Sequence, residues 1–165
     1  MKATAKTAQL QIRVTAQQKR AIQAASRRAG TDMSGWVLSR ILPSSRSRFQ
    51  ELTAALARAP RPRFVVAELH DLLADSTAAD LRDAISEAPA ARLDPYWGNY
   101  LAAMVETAAQ RRGLVTPAWT AQVRPLPVPT FGSDLQSLRL HLLTASPPAF
   151  RRRNIFIDAT VGDRV

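Results

Sequence analysis

Residues 8 to 15 read Ala-Gln-Leu-Gln-Ile-Arg-Val-Thr, and this strict alternation of apolar and polar side chains predicts a half-exposed β-strand. Leu10, Ile12 and Val14 would share one face, and Gln9, Gln11 and Arg13 the other. Two short helical patterns follow at once. A lone exposed strand is not stable, so the layout implies pairing with a second copy of the chain. The paired ribbon would present glutamines and arginines, whose side chains match the base edges of a major groove.

The flanking residues supply start and stop signals. Thr15 can cap the first turn, with Gln18 three residues on as in a capping box. Ala21, Ile22, Ala25 and Ala29 give that helix an apolar stripe, and Gly30 gives it a left-handed stop. Asp32 is placed to cap a second helix, with Met33, Trp36, Val37, Ile41 and Leu42 on its inner side. Pro43 ends it, and Ser44 to Arg48 read as a linker.

Charge divides the chain in the same way. Residues 1–43 carry eight Lys/Arg against one acid, and residues 44–63 carry five against one. Residues 64–106 reverse the sign, with eight acids against two Arg, and residues 107–165 return to eight Arg against three Asp. A basic head suits nucleic acid, and an acidic waist suits a basic protein surface. With no cysteine in the chain, disulfides and thiolate metal sites are excluded. No secretory apolar stretch opens the sequence and no run approaches membrane-span length, so a cytoplasmic protein with no membrane partner is expected.

Beyond the head, the punctuation predicts a mainly α body. Phe49, Leu52 and Leu56 recur at helical spacing until Pro60 and Pro62. Val65, Leu69, Leu72 and Leu73 mark a further helix, and Thr77 with Asp80 opens another, ended by Pro89. Asp94-Pro95 is an N-cap followed by proline at the first helical position, and Trp97, Tyr100, Leu101, Met104, Val105 and Ala108 run down one side before Gly113. An extended stretch follows from Pro117 to Pro129, then a short helix from Leu135 to Leu143. The divisions expected are a head at 1–43, a linker and short helix at 44–63, a helical body at 64–114, and an extended partner-binding or strapping tail at 115–165.

The strand Gln9–Val14, the run Thr15 to Lys19, and Gly30-Thr31-Asp32-Met33-Ser34-Gly35-Trp36 together resemble the ribbon-helix-helix (Arc-like) DNA-binding family. The resemblance covers about a quarter of the chain. It implies a homodimer through the N-terminal strand, with Gln9, Gln11 and Arg13 reading bases of double-stranded operator DNA. It places phosphate contacts at Lys6, Thr31, Met33 and Ser34, in keeping with the free amides and positive dipole end of a helix N-terminus. Two residues depart from the pattern. Asp32 stands where serine is frequent, which would repel a phosphate, and Gly35 stands where an acid is common, which would weaken the second cap.

Leu93-Asp94-Pro95-Tyr96-Trp97, Pro117-Ala118-Trp119-Thr120 and the segment Phe150 to Phe156 are similar to a second group. These are small antitoxin-like proteins encoded beside bacterial nucleotidyltransferase-type toxins. That resemblance implies a type II antitoxin: the head represses the shared operon and the body neutralises a cognate toxin protein. Trp119, Phe131, Phe150, Arg151, Arg152, Arg153, Asn154 and Phe156 are its expected partner-binding residues, either laid on the toxin or packed within the chain as a final strand. A free-standing ribbon-helix-helix transcriptional regulator and a scaffold without a DNA role are the competing readings.

Catalysis is not expected. No complete set of catalytic parts is present, His70 and His141 are isolated in sequence, and Glu68, Asp71 and Asp75 read as a solvated acidic face. No cofactor or metal is implied.

Overall fold

The computed structural model describes residues 11–41 and 44–158, and the chain divides into two compact units, residues 1–43 and 44–165. It is mainly helical, with one two-residue pair of strands among the described residues.

In the first unit, α1 (Ala16–Arg28) packs against α2 (Met33–Ile41). The capping box at the start of α1 is complete: the Thr15 hydroxyl accepts from the Gln18 N–H at 3.2 Å, and the Gln18 side chain accepts from the Thr15 N–H at 2.8 Å. The helix ends in a Schellman motif. Gly30, at φ 66°, donates to the Arg27 carbonyl, and Thr31 donates to the Ser26 carbonyl. Residues 11–15 form neither helix nor strand in the single chain. The first part of the strand expected there, including Gln9 and Leu10, lies outside the described residues, and no strand pairs with residues 11–15 among the described ones.

The second unit begins with α3 (Ser45–Arg58), which corrects the expectation of a linker at Ser44–Arg48. Ser44 caps this helix by accepting from the Ser47 N–H at 3.1 Å, and the basic residues lie in its first turns with their guanidinium groups reaching acids elsewhere. Phe49, Leu52, Thr53 and Leu56 form its buried face. It packs against α4 (Arg63–Asp75) and α5 (Ala78–Ala84). The last carbonyls of α4 are satisfied by the Arg112 guanidinium, which donates to Ala74 and Ser76.

The centre of the body is α6 (Pro95–Arg111). The Asp94 carboxylate accepts from the Tyr96 and Trp97 N–H groups at 2.9 and 3.0 Å, Pro95 follows the cap, and Gly113 (φ 63°) closes a second Schellman motif with Leu114. An apolar stripe on one side was the expectation, whereas every residue from Asn99 to Ala109 is buried. The difference is one of surroundings: α4, α7 (Ala118–Gln122) and α9 (Pro148–Arg151) all pack on α6, so it is enclosed on all sides.

The C-terminal third wraps this helix instead of extending away from it. β1 (Thr130–Phe131) pairs in parallel with β2 (Ile155–Phe156), with Thr130 opposite Ile155 and Phe131 opposite Phe156. Between them lie a 3-10 turn (Gln136–Leu138), α8 (Arg139–Ala145) and α9. Asn154 turns the chain into β2 with φ 58°, and its side-chain amide donates to the Leu126 carbonyl at 2.6 Å. Asparagine tolerates this left-handed region better than other non-glycine residues.

Candidate nucleic-acid interface and partner surface

In the first unit the described residues expected at DNA are accessible. Gln11, Arg13, Thr31 and Ser34 are exposed and Met33 is half-buried, while Lys6 and Gln9 lie outside the described residues. Asp32 does cap α2, its carboxylate accepting from the Gly35 N–H. A Cβ at position 35 would stand 3.0 Å from the Thr31 hydroxyl and 3.1 Å from the Asp32 carboxylate. Glycine therefore allows the close Asp32 cap, a relation between neighbours that the sequence pattern alone reads as a weakened helix start. The cap consumes one amide, and its negative charge stands beside the amides of Met33 and Ser34 expected to hold a phosphate.

The apolar side of this unit is partly uncovered. Ile12 is 55% exposed, Val14 43% and Ile41 57%, and among the described residues of the unit Ser26 is the one buried side chain. Between the helices Ile22, Ala25, Met33, Trp36 and Val37 are half-buried, so packing within the single chain is partial.

The tail residues expected at a partner are divided by the structure. Phe150, Arg153 and Phe156 are buried within the chain's own body, which corrects their assignment as a partner surface. Arg153 reaches past α9 to donate to Glu106 at 2.5 Å and to the carbonyls of Thr120 and Val123 at 2.8 and 3.2 Å. Its guanidinium thus ties α6, α7 and β2 together, and both charges are nearly removed from water. Such a pair persists only because each charge has its partner. Trp119 is half-buried, its indole N–H donating to the Ile85 carbonyl at 2.9 Å. Phe131 stacks on Phe156 with ring centroids 5.1 Å apart, and Arg139 lies over it at 5.3 Å. Arg151 and Arg152 remain exposed, Arg152 at 3.4 Å from Glu106, and Asn154 is half-buried.

The acidic waist is partly neutralised from within. Arg46 pairs with Asp83 at 2.8 Å and Glu87 at 2.7 Å, and Arg48 with Glu68 at 2.5 Å and Glu51 at 3.5 Å. These pairs are exposed and contribute little to stability, but they reduce the field that was expected to attract a basic partner.

The body instead presents an open groove of about 920 Å³. Val66, Tyr96, Trp97, Leu138, Leu142 and Ile157 supply apolar walls, Arg61 and Arg63 stand along it, and His141 pairs with Asp158 at 2.8 Å. Tyr96 packs edge-on to Trp97 at 4.9 Å, and Trp97 to Tyr100 at 5.5 Å. Burial pushes the Tyr100 phenol up to about 12, with Tyr96 adding to it, and burial followed by the Asp94 charge raises Tyr96. The groove was not visible in the sequence. Its residues come from separate stretches near 60–66, 96–100, 132–142 and 157–158, and none carries a local signature.

Neither a protein-family model, nor a curated protein, nor a solved structure matches this chain. Among the described residues no group of side chains is arranged to hold a metal ion, and no helix is long and apolar enough to cross a membrane.

Proposed function

We propose that this chain is a DNA-binding repressor that dimerises through its N-terminal strand, and that its body docks a protein partner, in the manner of a type II antitoxin. The observation that carries the reading is the uncovered head. A capped helix pair in a strongly basic segment follows an alternating strand sequence whose Ile12 and Val14 are exposed in the single chain. An antiparallel strand from a second copy would satisfy the free backbone groups along its edge, and the helices of the two copies would cover the apolar face of the ribbon. The opposite face would then carry Gln9, Gln11 and Arg13 toward the major groove.

The partner half of the proposal rests on the second resemblance and is narrowed by the packing of the tail. With Phe150, Arg153 and Phe156 engaged inside the body, a toxin would meet a preformed surface and not a loose C-terminal strand. The same packing favours a second reading, a free-standing regulator with a self-sufficient body. Co-expression of the tagged chain with the product of its neighbouring gene, followed by mobility shift on the DNA upstream of the pair, separates them. Co-purification together with a shift supports the antitoxin reading. A shift without a partner leaves the regulator, and no shift at any salt concentration overturns both.

A further inference from the structure

The body's arginines differ in how they are matched. Among the described residues Arg46, Arg48, Arg152 and Arg153 each pair with a carboxylate. Several others show no carboxylate partner among the described residues, and of these Arg61 and Arg63 line the apolar groove. Arg63 lies over the ring of Phe64 at 4.9 Å, and that ring is itself 68% exposed. Across the groove Leu138 is 39% exposed. Among the described residues one carboxylate lines the groove, Asp158, and it is engaged with His141. The arrangement is an apolar floor beside two positive charges that meet no carboxylate among the described residues.

We propose that this groove is the body's docking site for an acidic amphipathic segment of a partner protein. Apolar side chains of that segment would settle on Val66, Trp97 and Leu138, and its carboxylates would meet Arg61 and Arg63. Guanidinium groups suit this role, because their fork of donors matches a carboxylate in bidentate fashion. Insertion of an amphipathic element into an apolar groove is a general mode of protein recognition. Single-stranded nucleic acid is the weaker occupant. Tyr96, Trp97 and Tyr100 pack against one another with ring centroids 4.9 to 6.0 Å apart, which leaves few open ring faces for bases, although the two guanidinium groups could also meet phosphates. The inference deepens the partner half of the function proposed above and reverses the sign expected from the acidic waist: the partner brings the negative charge.

The test uses the full chain and three fluorescein-labelled probes, read by anisotropy. The first is a peptide of roughly 16 residues with leucines at helical spacing and glutamates elsewhere, the second replaces every glutamate by lysine, and the third is oligo-dT of the same length. The glutamate peptide should bind at least about ten-fold more tightly than either other probe. In the Arg61→Glu/Arg63→Glu chain the peptide preference should invert, with circular dichroism and DNA binding unchanged. Equal affinity for the two peptides, an unchanged preference in the double variant, or tighter binding of oligo-dT overturns the inference. The two proposals also separate. A neighbouring gene product that co-purifies equally with wild type and double variant removes the groove but keeps a protein partner. A clear glutamate-peptide preference without any such product keeps the groove and removes the toxin.

Discussion

Helices α1 and α6 begin and end by the same rules, yet they occupy opposite environments. Each opens on a side-chain cap, Thr15 in one and Asp94 in the other, and each closes in a Schellman motif with a left-handed glycine, Gly30 and Gly113. Around α6 the body supplies neighbours on every side, so eleven consecutive residues from Asn99 to Ala109 are buried. Along α1 only Ser26 is buried. Local chemistry therefore specifies both helices equally well, and tertiary packing completes only one of them. The body contains its own contiguous core of aromatic and aliphatic side chains. The described residues of the head have helices and caps with one buried side chain, Ser26. The proposed dimer would supply the remaining cover from a second copy.

The sharpest way to break this contrast lies inside the body. Glu106→Ala would strand the buried Arg153 guanidinium and should destabilise the body by about 3–5 kcal/mol, read as a lowered urea midpoint. Glu106→Leu combined with Arg153→Met should recover much of that loss, since removing both charges also removes their desolvation. A negligible effect of the single variant would mean that the tail does not lock the body.

The head should respond to different lesions. Val14→Asp places a charge on the ribbon face expected to turn toward the helices, and should abolish DNA binding while the body's urea midpoint stays where it was. Arg13→Ala should weaken the preferred site by about 1–3 kcal/mol and relax base preference. Uniform weakening across sequences would instead assign Arg13 to the phosphates. Binding by the unaltered head should also fall steeply with salt, as neutralised phosphates release counterions.

Smaller effects compare the two caps directly. Thr15→Ala and Asp94→Ala each remove one helix N-cap, a loss of about 0.5–2 kcal/mol in either context. In the body this should appear as a shift of the main unfolding transition. In the head it should appear as weaker dimerisation and DNA binding with that transition unmoved. The chain's two tyrosines, Tyr96 and Tyr100, both lie in the body and have raised pKa values. Phenolate absorbance should therefore lag behind that of the unfolded chain. Unfolded Tyr100 loses its proton near pH 10 and the folded residue near 12, so its contribution to stability is intact below pH 10 and declines across that interval. Coincident titration of folded and unfolded chains would show the aromatic cluster to be open to water.

Sequence reasoning succeeded where the signal spans one helical turn. Thr15 with Gln18, Gly30, Asp94-Pro95 and Gly113 all act as their spacing predicts, because capping involves neighbours in the chain. It missed the start of α3, although Ser44 and Ser47 lie at capping distance and the Phe49/Leu52/Leu56 stripe extends back toward them. Arginine-and-serine composition outweighed periodicity there. The Arg153–Glu106 pair joins residues 47 positions apart, and the groove draws on four separate stretches. Such relations follow from how helices pack, for which the alternating strand and the capped turns give no rule. Arg151-Arg152-Arg153 shows the limit well: three identical residues in a row, with two exposed and one in the core.

The central claim is that a second copy completes the head across Ile12 and Val14. Sedimentation equilibrium of the full chain and of its Val14→Asp variant addresses this most directly. The account predicts twice the 18.1 kDa chain mass for the wild type and the single-chain mass for the variant, with the body folded in both. A wild-type chain that sediments at 18.1 kDa, or a dimer that survives Val14→Asp, would contradict it.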